Sequence, residues 1–156
     1  MKEHPSQLLK SLRRLQAIVF LLGAFAVLVS PAHAQTNGTW NLLTGTGDWS
    51  TSGNWVSSII ADGAGATANF STANLSGNTI VTVDTSRIIG VINIGDPAST
   101  FRQYTLASSG GSTLTLNNNG SGARINLVMP SSGGTSITNL ISAPLILGDS
   151  LLLDNQ

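Results

Sequence analysis

Apolar and polar residues alternate with a period of two along most of this chain. In the segment 79–84, Val81 and Val83 share one face of an extended chain, while Thr82 and Asp84 share the other. Such alternation is typical of a β-strand with one buried and one solvated face. The same spacing pairs Ile92 with Ile94, Leu114 with Leu116, and Ile125 with Leu127. From Trp40 onward, no stretch repeats apolar residues at helical spacing, so the pattern predicts an all-β fold.

Two later segments are nearly continuous in apolar residues. They are Pro144–Leu147 and Leu151–Leu153, and they predict strands that are covered on both faces. Clusters of Gly, Ser and Asn separate the predicted strands and favour turns.

The spacing of the strands is compatible with two architectures. Val81 and Ile92 are eleven residues apart, as are Leu114 and Ile125. A parallel β-helix, or β-solenoid, with two strands per coil gives this rhythm, and an antiparallel β-sandwich gives it as well. Turns of unequal length and the scarcity of two-residue Asn-Gly or Asp-Gly loops favour the β-helix.

The first 34 residues have the pattern of a helical signal peptide. Four basic residues and one acidic residue within 1–16 precede thirteen uncharged residues, Ala17–Val29, which are apolar apart from Gly23. The small residues Ala32 and Ala34 then predict cleavage before Gln35. A membrane-spanning helix needs about 20 apolar residues, so the pattern favours a cleaved Sec-type signal over an uncleaved anchor.

The remaining chain is predicted to have two regions. Residues 35–78 form a tryptophan-rich N-terminal cap region, and residues 79–156 form a region of β-strand repeats. Because the sequence stops on the strand-like segment Leu151–Asp154, we expect the repeat region to be incomplete at its C-terminus. Membrane contact is then expected only through the signal peptide or a missing C-terminal region.

The composition of residues 35–156 excludes several classes of function. They contain no Cys, His, Lys or Glu, and three arginines against six aspartates give a net charge of −3. A nucleic-acid partner is not expected, because phosphate binding requires a basic face. Few side chains of the metal-ligating or catalytic types remain, so we predict no catalytic, metal or cofactor site and no enzymatic activity.

Two short motifs resemble known functional motifs only in their letters. The segment 63–68, Gly-Ala-Gly-Ala-Thr-Ala, matches a dinucleotide fingerprint, but no helical pattern follows it. The segment 148–151, Gly-Asp-Ser-Leu, matches an esterase nucleophile block, but no histidine follows that could accept the serine proton. Both segments are predicted to be turns or loops.

Asp84 and Arg87 form a further candidate pair, of the acid and base kind that β-helix lyases use on uronic-acid polymers. Glycoside hydrolysis needs two carboxyl groups across one bond, and the aspartates are scattered along the sequence. We therefore predict that Asp84 ends a strand by binding the backbone and that Arg87 is solvated.

Trp40, Trp49 and Trp55 have two interpretations. Exposed indoles stack on sugar rings and would make a glycan-binding platform, whereas buried indoles would close the end of a core. The sequence favours the buried cap.

Several motifs recur in an order that is known from one family. They are Trp40, Gly47-Asp48-Trp49-Ser50, Asn54-Trp55, Ala68-Asn69-Phe70, Val81-Thr82-Val83-Asp84, Tyr104-Thr105-Leu106 and Leu114-Thr115-Leu116. In this order they resemble the N-terminal part of autotransporter-associated β-strand repeat proteins, which are exported surface proteins of Gram-negative bacteria. The segment Gly111–Leu116 echoes the repeat that names the family only in part.

The resemblance implies the start of a β-helical passenger with a structural or adhesive role. It implies secretion or display on the outer surface, with cell-surface glycans or other surface proteins as partners, and no catalytic residues. The alternative function is a secreted β-helix that binds or cleaves glycans through Trp40, Trp49 and Trp55.

Overall fold

The computed structural model describes residues 34–98, 102–130 and 138–155, all within one compact unit, His33–Gln156. The predicted signal peptide lies outside the described residues, apart from Ala34. Two short 3-10 turns occur at Ser52–Asn54 and Val56–Ser58. The strands are β1 Gly38–Thr39, β2 Gly45–Asp48, β3 Thr67–Phe70, β4 Thr79–Val83, β5 Arg87–Ile89, β6 Val91–Ile94, β7 Tyr104–Ser108, β8 Leu114–Leu116, β9 Ala123–Leu127, β10 Leu140–Ile141, β11 Leu145–Leu147 and β12 Leu151–Asn155.

The strands form three sheets that the chain visits in rotation. Sheet 1 has the order β1-β3-β6-β9-β12, sheet 2 the order β10-β7-β4-β2, and sheet 3 the order β11-β8-β5. From β4 onward the chain passes through sheet 2, sheet 3 and sheet 1 three times in succession. From β4 onward, each strand therefore pairs with a strand of the preceding passage, of the following passage, or of both.

The strand pairs are parallel throughout the described sheets. The predicted all-β class is confirmed, and the antiparallel β-sandwich is wrong. The expectation of two strands per repeat is also wrong, because Val81, Ile92 and Leu114 belong to three different sheets.

The register stacks apolar side chains on apolar side chains in the core. Val81 lies opposite Leu106 on β7, and Ile92 lies between Ala68 on β3 and Ile125 on β9. These five residues are buried. The predicted inward faces of Val81 and Val83, Ile92 and Ile94, and Leu114 and Leu116 are confirmed, because every one of these side chains is buried.

The alternation predicts burial less well in the last strands. Ile125 is buried, but Leu127 is exposed, although its register partner Ile94 on β6 is buried. Leu145–Leu147, Leu152 and Leu153 are exposed as well. The prediction of strands covered on both faces is wrong for β11 and β12, because each is the last strand of its sheet.

The sheets continue across residue 78, where the sequence suggested a boundary between two regions. β3 precedes this position and β6 follows it, yet the two are direct neighbours in sheet 1. The tryptophan-rich region and the repeat region therefore share a sheet. Within the described ranges, none of the helical turns has the length and apolar character of a membrane-spanning helix.

Candidate functional site

The three tryptophans lie where the chain enters the sheets. Trp40 directly follows β1, Trp49 directly follows β2, and Trp55 lies between the two 3-10 turns. Trp40 and Trp55 form an isolated antiparallel bridge, and the backbone N–H of Trp49 donates to the carbonyl of Thr82 at 2.8 Å. These backbone contacts bring three residues that are separate in sequence to one end of the core.

Their side chains form an aromatic cluster with Phe70, called here the indole cluster. The ring centroids of Trp40 and Trp55 lie 5.1 Å apart in an edge-to-face arrangement, and those of Trp49 and Trp55 lie 5.2 Å apart. Phe70 lies within 5.9 Å of each indole and also contacts Tyr104. Such offset and edge-to-face contacts stabilise aromatic pairs by about 0.5–1.5 kcal/mol beyond area burial.

Two of the indole N–H groups are satisfied inside the fold. Nε1 of Trp49 donates to the carbonyl of Ala61 at 2.9 Å, and Nε1 of Trp55 donates to the carbonyl of Trp49 at 2.7 Å. Nε1 of Trp40 is buried without a hydrogen-bond partner among the described residues. The two bonds tie the loop between β2 and β3 onto the cluster.

Burial decides between the two interpretations of the tryptophans. Trp40, Trp49 and Trp55 are 1%, 0% and 2% exposed. A sugar ring stacks on an open aromatic face, and these indole faces are covered by one another and by Phe70. The predicted burial of the three indoles is therefore confirmed, and none of them presents the open face on which a sugar ring would stack.

The candidate pair Asp84 and Arg87 is divided between two other partners, and the expectation that Arg87 is solvated is wrong, because its side chain is only 13% exposed. Nη1 of Arg87 contacts Oδ2 of Asp62 at 2.8 Å in a partly buried ion pair. The carboxylate of Asp84 accepts hydrogen bonds from the backbone N–H and the hydroxyl of Ser50. Both carboxylates therefore join the cap loops to the β4–β5 corner, and neither is presented to a substrate with the arginine.

The hydrogen bonds from Ser50 also affect the acidity of Asp84. Partial burial acts to raise the pKa of this carboxyl group, but the hydrogen bonds from the hydroxyl and amide of Ser50 favour the charged form. Together with a small contribution from Arg87, they hold the pKa below its ordinary value of 3.8. Asp84 is thus a charged residue that fixes the cap.

The segments 63–68 and 148–151, which match known motifs in sequence only, contain turns or bends, as predicted. In the first, Gly63 and Gly65 have φ values of +102° and +80°, which L-residues rarely adopt, and β3 rather than a helix follows. In the second, Oδ2 of Asp149 accepts the backbone N–H groups of Asn118 and Gly120. That carboxylate therefore holds the preceding turn instead of serving a nucleophile.

Sequence reasoning missed a buried polar group at the end of β6. Asp96 is fully buried, and its carboxylate accepts backbone N–H groups of Leu75, Ala98 and Arg102. In the sequence, Asp96 stands between Gly95 and Pro97, residues that are typical of a turn, so no local signal marks its burial. The pKa of Tyr104 is raised well above its ordinary value of 10, mainly by burial and to a smaller extent by the charge of Asp96.

The residues around the predicted cleavage point begin the described structure. Ala34 and Gln35 are exposed, and Nε2 of Gln35 donates to the carbonyl of Gly65 at 2.9 Å. Thr36 and Asp62 exchange two backbone hydrogen bonds. Ala32, the other residue of the predicted cleavage motif, lies outside the described residues.

Among residues 34–98, 102–130 and 138–155, no group of three or more Asp, Glu, His or Cys side chains is arranged to hold a metal ion. Comparisons with protein-family models, with curated proteins and with solved structures find no match to this chain.

Proposed function

We propose that the chain is an exported, non-enzymatic segment with a structural or adhesive role, built as a parallel β-helix. The observation that supports this most is the rotation of the chain through three parallel sheets, with the indole cluster closing the first end. In a β-helix each coil buries its apolar face against its neighbours, and the outer faces remain available for contact with partners.

The side chains that carry chemistry support a structural role, because they are engaged with the fold. Asp62 pairs with Arg87, Asp84 binds Ser50, and Asp96 and Asp149 accept backbone N–H groups. Each of these carboxylates fixes a loop or corner. Asp and Asn residues that bind nearby backbone groups commonly stabilise turns in this way.

The outer face of sheet 2 is a candidate contact surface for other surface proteins or glycans. The register aligns Thr46, Ile80, Thr105 and Leu140 in one outward row, and Ile80 and Leu140 are exposed. A row of this kind alternates hydroxyl-bearing and aliphatic side chains along the stack, which suits an extended partner.

Export to the surface or medium of a Gram-negative bacterium is proposed from the N-terminal pattern and from the family resemblance. Export can be tested with a chain that carries an affinity tag in the exposed Gly110–Gly111 turn. We expect a Gram-negative host to place the tagged chain outside the inner membrane with Gln35 as its first residue. Replacing Leu21 and Leu22 by Arg interrupts the apolar segment, so that variant should stay inside. N-terminal sequencing and cell fractionation measure both results, and a wild-type chain that retains Met1 in the cytoplasm would contradict the proposal.

The adhesive role is tested by binding rather than by turnover. Isothermal titration against bacterial and plant polysaccharides, and adhesion to coated surfaces, should give binding that changes when Ile80 is replaced by Asp but not when Val56 is. Release of reducing sugars from any of these polymers would contradict a non-enzymatic role.

A further inference from the structure

The sequence contains two Asn-Gly dipeptides, Asn37-Gly38 and Asn119-Gly120. In such a dipeptide the backbone nitrogen of the glycine attacks Cγ of the asparagine, because glycine has no side chain that hinders the approach. A cyclic imide forms, the bond between Cγ and Nδ2 breaks, and Nδ2 leaves as ammonia. Water then opens the imide at either carbonyl, which gives aspartate or isoaspartate. The reaction requires a backbone that is free to rotate, so the fold determines which dipeptide reacts.

The first dipeptide is held within a sheet. Gly38 is buried in β1, which pairs with β3, and Oδ1 of Asn37 accepts the backbone N–H of Thr67 at 2.8 Å. A Cβ atom on Gly38 would lie 2.6 Å from the backbone nitrogen of Ala61, so the chain here has no space in which to rotate. The nitrogen of Gly38 therefore reaches the side chain of Asn37 only if the edge of sheet 1 opens.

The second dipeptide lies in an exposed turn between β8 and β9. Asn119 and Gly120 are both exposed, and their φ values of +54° and +79° are typical of a turn. A Cβ atom on Gly120 would meet no other atom within 4 Å. The side chain of Asn119 is held by one hydrogen bond, from Nδ2 to the carbonyl of Ala64 at 3.2 Å, which is at the long end of the normal range. The backbone of this turn can therefore rotate without opening a sheet.

Asp149 restrains the atom that would attack. Its Oδ2 accepts the backbone N–H of Gly120 at 3.1 Å and also accepts that of Asn118. The nitrogen of Gly120 must lose its proton as it bonds to Cγ, so the hydrogen bond to the carboxylate has to open first. Hydrogen bonds to charged groups are stronger than neutral ones. This contact therefore slows the reaction at the turn, but it involves one side chain rather than a sheet.

We propose that Asn119 is a deamidation site of the folded protein, that Asp149 sets the rate, and that Asn37 is not modified. The reaction has a structural consequence. The product carboxylate has no N–H with which to bind the carbonyl of Ala64. Isoaspartate also inserts an additional carbon into the backbone before Gly120. Deamidation therefore loosens the β8–β9 turn from the loop that precedes β3.

Mass spectrometry of the full chain tests the site. After incubation at mildly alkaline pH, the chain is digested and the modified residue is located by tandem fragmentation. We expect Asn119 to gain the mass difference between an amide and a carboxyl group and to give two isomeric products, while Asn37 stays unchanged. Asn119→Gln is the control, because its longer side chain cyclises far more slowly, and it should remove the mass shift.

Variants of Asp149 test the restraint. Asp149→Ala should raise the rate at Asn119 about tenfold, since the N–H of the next residue loses a charged acceptor. Asp84→Ala is the matched control, because it removes a carboxylate from the backbone N–H of Ser50 at another corner, and it should leave that rate unchanged. If circular dichroism shows that Asp149→Ala unfolds, Asp149→Asn replaces it, and its weaker neutral acceptor should give a smaller increase.

Three results would overturn the proposal. They are a folded wild type in which Asn119 is not converted, conversion of Asn37 at the same rate, and Asp149 variants that react no faster than Asp84→Ala.

Discussion

At the residue scale, Tyr104 is the side chain whose burial has the clearest energetic consequence. Its hydroxyl is buried without a hydrogen-bond partner among the described residues, and its ring contacts Phe70 of the indole cluster. A buried hydroxyl that makes no hydrogen bond costs about 1–3 kcal/mol of desolvation. The aromatic ring is therefore stabilising at this position, and the hydroxyl is not.

We predict that Tyr104→Phe raises the free energy of unfolding by about 1 kcal/mol, measured by urea denaturation at neutral pH. Thr79→Val tests the same effect on the free energy of unfolding at a second position. Thr79 lies in register with Tyr104, and its hydroxyl is also buried without a hydrogen-bond partner among the described residues. A loss of stability in Tyr104→Phe would mean that the hydroxyl makes a favourable contact.

The raised pKa of Tyr104 gives a second, pH-dependent result. The unfolded chain releases the phenol proton near pH 10, whereas the folded chain retains it. Stability should therefore fall as the pH rises above about 10, because the unfolded state then binds fewer protons than the folded state. Unfolding curves at pH 9 and 11 should show this decline in the wild type and a smaller one in Tyr104→Phe; equal declines would contradict the assignment.

For Asp84, we expect stability to depend on pH in the opposite direction, because its pKa is lowered. Its folded pKa is below 3.8, so its contribution to stability is present above that value and is lost as the pH falls through the folded pKa. Asp84→Asn should be less stable than the wild type at pH 7, and the two should converge at low pH. Ser50→Ala should show the same convergence, since it removes the hydroxyl that binds Asp84; a constant difference at all pH values would exclude this mechanism.

At the scale of the element, the indole cluster holds the cap loop on the sheets. Replacing Trp55 by Ala removes contacts to two indoles and Phe70 together with a buried hydrogen bond. We predict a loss of about 3–5 kcal/mol in the free energy of unfolding. Val56→Ala changes the exposed neighbour and should alter stability by about 0.5 kcal/mol or less, so equal effects would show that the cluster is not the cap.

The burial of a side chain could be predicted from the sequence where it depends on neighbouring residues of the same strand, and not where it depends on other strands. The inward faces of Val81, Ile92 and Leu114 followed from alternation, because the period of two is a property of the strand itself. The exposure of Leu147 and Leu153 depends on whether another strand lies beyond them, which no local pattern records. The burial of the indoles depends on Phe70, which comes from a strand further along the chain.

At the scale of the whole molecule, the three-sheet rotation was hidden by turns of unequal length. Thr79 lies in register with Tyr104, but Val91 lies in register with Arg124, so register partners are 25 residues apart in one pair and 33 in the other. The eleven-residue spacing suggested two strands per repeat because it joined strands of different sheets. The engagement of Asp62 with Arg87 was equally invisible, since it requires the cap loop to meet the β4–β5 corner.

The central claim is that consecutive passages of the chain stack in parallel within three sheets. Nuclear Overhauser contacts between backbone protons in the isotopically labelled protein measure strand neighbours directly. We predict that the backbone of Ile92 has inter-strand contacts with the regions of both Ala68 and Ile125, in the parallel pattern. Antiparallel contacts of Ile92 with Val81 or Leu114, in place of these, would contradict the account.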